Sequence, residues 1–282
     1  MRWRRDDRGV SSSTVVPAPS PYQLAAGPVP GSRRRAVTLL AGAAFPIPVL
    51  LFVILVFVAG PIVAAVVAVL GWAVVAALLV RNATRRVLAA LDAFPADPVH
   101  DARLHNLTES LCVAAGLPKP TLLVVSDDRP NSLSLGLSPR SAVVVVTRGV
   151  TTGFNRLEME AVLAHELSHV RRGDPALATA IGAVGGPLLA IAPRAMARLV
   201  LRLGGDHESA ADVAAVGLTR YPPALIAALE RMRPEVDGTA TRRRAVDRLW
   251  NVPRTRPEAG SAATTGGASD ALECRIEALL EL

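Results

Sequence analysis

The chain has 282 residues, 51% of them hydrophobic, with a mean hydropathy of +0.36, a formal charge of +7 and a pI near 10.7. So apolar a composition suits a membrane anchor joined to one globular domain better than a wholly soluble protein. Aromatics at 4% and scattered basic residues, nearly all arginine, speak against a nucleic-acid partner, and Cys112 and Cys274 offer neither a disulfide framework nor a zinc knuckle.

Residues 1–35, rich in Arg, Ser and Pro, read as a disordered basic cytoplasmic tail. Residues 36–80 carry no charged side chain. As one helix that run would reach about 68 Å, twice the roughly 30 Å hydrocarbon core, so it suits two spans. Gly60-Pro61 near its middle is a natural reversal for a two-helix transmembrane hairpin. Arg33-Arg34-Arg35 precede the run and Arg81, Arg85 and Arg86 follow it. Positive charge on both flanks places both ends on the cytoplasmic side of the inner or plasma membrane. Helix is expected from about 82 to 116, followed by a small sheet of strands at 121–126, 132–137 and 142–147, with a turn at 127–131.

The next helix carries the chemistry. In His165-Glu166-Leu167-Ser168-His169 the two histidines are four residues apart, on one helical face, and can reach the same metal ion. Glu166 beside them can serve as general base toward water, the zincin arrangement for attack on a peptide carbonyl. Asn155 and Glu158 form a capping pair, and Gly173-Asp174-Pro175 ends the helix. A second apolar stretch spans 175–193, and Arg194, Arg198 and Arg202 recur along one face of the short segment that carries on to 203. Residues 175–203 read as a re-entrant or membrane-surface helical pair, with a soluble helical hairpin as the alternative. Glu208 and Asp212 then share a helical face: Glu208 can complete the zinc shell, and Asp212 can accept the outer N–H of a ligand histidine. His207 points away from Glu208 and is read as a neighbour, not a ligand. A helix near 222–233, a flexible segment at 237–270 and a last helix at 270–282 complete the metallopeptidase-like unit, 81–282.

From about residue 104 onward the chain resembles the membrane metallopeptidases that include the HtpX-like heat-shock proteases and the CAAX prenyl proteases. The resemblance rests on Ala115-Gly116-Leu117-Pro118-Lys119-Pro120, on Asn131-Ser132-Leu133-Ser134-Leu135-Gly136, and on the valine strand closing at Thr147-Arg148-Gly149. It continues through the His-Glu helix into Glu208-Ser209-Ala210-Ala211-Asp212. It implies that His165, His169 and Glu208 hold one Zn2+ and that Glu166 is catalytic. Two departures stand out: Asn131-Ser132-Leu133 where Asn-Ala-Phe is common, and Ser269-Asp270-Ala271 where a His-Pro pair commonly precedes the Arg-Ile kept here as Arg275-Ile276. A sister group of β-lactam sensor-transducers shares the pattern Arg171-Arg172-Gly173-Asp174.

The expected fold is α+β: the hairpin, then a mostly helical zincin-type domain with a small sheet. The expected function is a membrane-anchored zinc endopeptidase with protein or peptide substrates, membrane proteins among them. A non-proteolytic membrane sensor with a zincin-like domain is the alternative. The strand at 143–146 is expected to pair with substrate as an edge strand. Asn131, Tyr221 and Arg275 are candidates for steadying the oxyanion.

Overall fold

Val143-Val144-Val145-Val146 is a run of β-branched residues with no polar alternation, the pattern of a strand covered on both faces. The computed structural model describes residues 28–191, 206–233, 249–252 and 263–282, and it places this run at the centre of the sheet. Among the described residues four strands, β1 Phe94–Pro95, β2 Thr121–Val125, β3 Ser132–Leu135 and β4 Val143–Thr147, form one mixed sheet in the order β1-β2-β4-β3. β2 and β4 are parallel, with Thr121 opposite Val143, while β1 and β3 are antiparallel to their neighbours. The expectation that 143–146 is a substrate-pairing edge is therefore overturned: β4 has a partner on each side, and the edges are β1 and β3. β1 went unforeseen because two residues, one of them proline, carry no periodic signal.

The helices are α1 Ser32–Ala43, α2 Pro46–Ala59, α3 Pro61–Leu91, α4 Ala102–Ala115, α5 Arg148–Gly153, α6 Arg156–Arg172, α7 Pro175–Ile191, α8 Asp206–Thr219, α9 Pro222–Arg231 and α10 Ala263–Leu280. Strand alternation sorts the sheet's side chains into two cores. Leu122, Val124, Val144 and Val146 join Leu107 of α4, Leu163 of α6, Val216 of α8 and Leu225 of α9. Leu123, Leu133, Val143 and Val145 join Leu40 of α1, Val87 of α3 and Ala180 of α7 on the opposite face. The sheet thus separates the helices around the His-Glu motif from the helices that lead out of the apolar run.

Pro46 and Pro48 interrupt that run, and the axes of Ser32–Ala43 and Pro48–Ala59 differ by 41°. Proline supplies the bend by removing an N–H and clashing with the carbonyl four residues back. Gly60 adopts φ 82°, ψ 164°, a conformation glycine reaches freely, and α2 and α3 pack against each other across it. Among the described residues α3 is the one helix long and apolar enough by itself to cross a membrane; α1 and α2 reach that size only as one bent pair. Phe57 is 87% exposed and Ile62 80%, either side of the Gly60 reversal, and large exposed apolar side chains crowd the stretch from Phe45 to Leu78. A surface of that character is stable against hydrocarbon and costly in water.

α3 runs unbroken past Arg81, Arg85 and Arg86 to Leu91. The single helix expected over 82–116 is instead α3 and α4 with a break between them. Asp92 turns at φ 50°, and the carboxylates of Asp97 and Asp101 accept backbone N–H groups of the connecting turn around Pro98. Pro98 disfavours helix at the residue before it. α10 begins at Ala263, earlier than the boundary drawn near 270. α7 buries Ala176, Ala180 and Ala183, packing against both α1 and α3. The arginine stripe 194, 198 and 202, the tail 1–27 and most of the segment 237–262 lie outside the described residues.

Gly149, in α5, donates its N–H to Asp127 O at 2.9 Å. A Cβ there would strike the Asp128 carbonyl and lie 2.7 Å from Pro130 N. Gly149→Ala is expected to cost about 1–3 kcal/mol, read as a lower melting temperature of the detergent-solubilised chain. Gly42→Ala, where a Cβ meets open space, is expected to leave that temperature unchanged or higher.

Candidate metal centre

α6 is held at both ends by local chemistry. Asn155 Oδ1 accepts from Glu158 N and Glu158 Oε2 accepts from Asn155 N, each at 2.9 Å, so the capping box read from the sequence is formed. At the other end Gly173, at φ 80°, returns its N–H to His169 O and Val170 O. Between the caps α6 lies beneath β3 and alongside α8, so even its polar residues are covered: His165, Glu166 and His169 are all buried.

One turn of helix stacks the histidines, and their Nε2 atoms lie 3.1 Å apart. α8 packs along α6 and brings Glu208 to the same point, with Oε2 3.4 Å from His165 Nε2 and Oε1 3.5 Å from His169 Nε2. One ligand atom from each of these three residues falls within 4.8 Å of the others. His207, on the neighbouring face, lies instead 3.6 Å from Asp174 Oδ1.

Each imidazole turns its other nitrogen toward a carboxylate. His165 Nδ1 is 2.7 Å from Asp212 Oδ1, bent away from a linear hydrogen bond, and His169 Nδ1 is 3.2 Å from Asp174 Oδ2. Asp174 also accepts from Arg172 Nε at 2.8 Å. Asp212 is gripped by Arg275, which donates through Nε at 2.6 Å and Nη2 at 2.8 Å. The same guanidinium reaches Glu208 Oε2 at 3.3 Å, Asn251 Oδ1 at 3.0 Å and Asn251 O at 3.2 Å.

Burial favours neutral imidazoles, but Asp212 beside His165 and Glu208 beside His169 outweigh it, raising both basicities and His169's to about 10. Burial likewise opposes the charge on Glu208, yet His169, His165 and Arg275 hold its carboxyl well below the usual range. Against the same burial, Arg275 and His165 lower Asp212, while His169 and Arg172 lower Asp174. The field therefore favours positive charge between the rings, carried by protons or by a divalent cation.

The residues fit the cation. With both Nδ1 atoms facing carboxylates, the two Nε2 atoms face each other at 3.1 Å, where one ion can meet both. Glu208 Oε2, buried at the same point, accepts no hydrogen bond among the described residues. Two imidazole nitrogens and one carboxylate are the donor set of an open zinc site.

Of the residues singled out in the sequence, His165, His169, Glu208 and Asp212 lie close together here. Sequence reading missed Asp174, read only as part of a helix stop; its signal was an acid directly after the glycine turn that follows His169. It also missed Asn251 and the contact of Ser132 Oγ with Glu166 Oε1 at 2.6 Å, both of which depend on long-range packing. Of the oxyanion candidates, Asn131 commits its amide to Val252 O at 2.8 Å and its carbonyl to Ser132 N and Val252 N. Arg275 is held in the network just described, and Tyr221 is exposed at the start of α9.

The model of peptidase family M48 matches residues 98–202. A protease HtpX homologue of Limosilactobacillus reuteri (strain DSM 20016) is 30% identical over 215 residues, covering 63% of this chain and 71% of the relative. Homologues of the same name from Acidiphilium cryptum and Thermoanaerobacter pseudethanolicus are 34% and 39% identical, covering 52% and 36% of this chain and 62% and 34% of the relatives. The first curated relatives are thus matched over about a third to a half of their own length, 34%, 40% and 53%. No solved structure matches.

The geometry orders three substitutions by their effect on metal. Glu208→Ala is expected to reduce zinc affinity by roughly 1,000-fold or more, and Asp212→Asn, which loosens the orientation of His165 and weakens the pairing with Arg275, by about 10–100-fold. His207→Ala is expected to bind zinc as the parent does. Competition titration against a chelator measures all three; a larger loss at His207 than at Glu208 would reverse the ligand assignment on α8.

Proposed function

The chain belongs to the HtpX-like group of peptidase family M48, and on that premise we propose that it is a membrane-anchored zinc endopeptidase. The observation that carries the reading is the convergence of His165, His169 and Glu208 on one point, with Glu166 buried beside the first of them. Zinc held by those three residues would polarise a scissile carbonyl and make a water molecule more acidic. Glu166 takes the proton of that water through its free carboxylate oxygen and returns it to the nitrogen of the departing peptide. Asp212 and Asp174 keep both rings in the tautomer whose Nε2 faces the site. Arg275 holds Asp212 and Glu208 charged at close quarters.

Protein or peptide chains are the substrates, with membrane proteins the expected class because the catalytic layer is joined through one sheet to helices with lipid-type surfaces. Their turnover or processing is the role this suits. A sensor that keeps zinc for structure would need a closed shell with a fourth protein ligand; among the described residues three ligand groups come together. The proposed topology has the bent pair α1–α2 and then α3 crossing the membrane as a hairpin, with Gly60 outside and the metal site on the cytoplasmic side. Arg33, Arg34 and Arg35 at the start of α1 and Arg81, Arg85 and Arg86 toward the end of α3 support it.

Glu166→Gln is expected to retain about one zinc per chain while cleavage of fluorescein-labelled casein falls by several orders of magnitude. Zinc loss on that substitution would make Glu166 a ligand; cleavage at the parent rate would refute the mechanism.

Topology can be read with a membrane-impermeant thiol reagent on intact cells. Cys274 is exposed, and with Cys112 replaced by serine it is expected to label only after permeabilisation. Ala59→Cys, in a chain lacking both native cysteines, is expected to label without it. The opposite pattern would place the metal site outside the cytoplasm.

A further inference from the structure

Resting on the peptidase reading above, we propose that Ser132 is a positioning residue for Glu166: it holds one carboxylate oxygen in place and leaves the other for proton transfer. Ser132 opens β3, its side chain is fully buried, and its Oγ lies 2.6 Å from Glu166 Oε1. A glutamate that acts as a base is ionised and can only accept, so the hydroxyl is the donor. The distance is that of a short, charge-assisted bond.

The serine itself is held on every side. Its N–H donates to Asn131 Oδ1 at 3.0 Å, its carbonyl accepts from Asn251 N at 2.8 Å, and its strand position is opposite Val146. Asn251 Nδ2 approaches Ser132 Oγ at 3.5 Å, on the oxygen's accepting side. The orientation of that amide is set by Arg275, whose Nη2 donates to Asn251 Oδ1 at 3.0 Å and so turns the nitrogen toward Ser132. One guanidinium therefore steadies His165 through Asp212 and, through Asn251 and Ser132, the base.

An alanine at position 132 would leave Glu166 Oε1 without this donor and its three side-chain torsions less restricted. Loss of orientation in a catalytic group lowers turnover more than substrate binding.

The test uses the full chain in detergent micelles, loaded with zinc, with fluorescein-labelled casein as the unfolded-protein probe. Ser132→Ala is expected to lower kcat by roughly 10- to 100-fold, with KM within about twofold and with zinc content and melting temperature kept. Ser132→Thr, which restores a hydroxyl on the same Cβ, is expected to recover most of that loss. An unchanged kcat in Ser132→Ala, a loss confined to KM, or a loss that Ser132→Thr shares in full would overturn the assignment. Failure of the peptidase reading looks different: parent and Glu166→Gln would then behave alike toward casein.

Discussion

Two acidic side chains one helical turn apart, Glu208 and Asp212, are pressed against a helix that carries two histidines, and Arg275 makes the arrangement tolerable. Asp212 is almost wholly buried and Arg275 nearly so. A buried carboxylate without a partner would cost several kcal/mol, whereas the two-pronged pairing at 2.6 and 2.8 Å satisfies both groups. The pair ties α10 to α8, and α8 in turn delivers Glu208 to the histidines of α6. The cluster of His165, His169 and Glu208 is therefore assembled by an interaction behind it, between Asp212 and Arg275.

The central sheet supplies the second constraint. Because β4 is covered on both faces, the sheet packs against α4, α6, α8 and α9 on one side and against α1, α3 and α7 on the other. The apolar helices and β3 thus share one packed core, and β3 touches Glu166 through Ser132. Packing of this density resists small independent shifts of its layers, so the site is one packed unit with the apolar helices.

Much of this was legible in the residues. The capping pair Asn155 and Glu158, the glycine stop at 173 and the strands near 121, 132 and 143 are all local, and each is present. The errors have local causes too. A break at Asp92 and Pro98 was read through as helix because the flanking residues on both sides favour helix. The valine run of β4 was taken as an edge, although continuous apolarity signals cover on both faces.

What the sequence alone determined is which side chains share a helical face: His165 and His169 because the helix repeats every 3.6 residues, and Glu208 and Asp212 for the same reason. Spacing cannot say where a helix some forty residues away will dock, which strand of a sheet will lie at its edge, or which arginine will meet an acid. The delivery of Glu208 to the histidines, the pairing of Asp212 with Arg275, the part of Asp174 and the bond from Ser132 to Glu166 were decided by tertiary packing, because each joins groups whose separation along the chain carries no periodic signal.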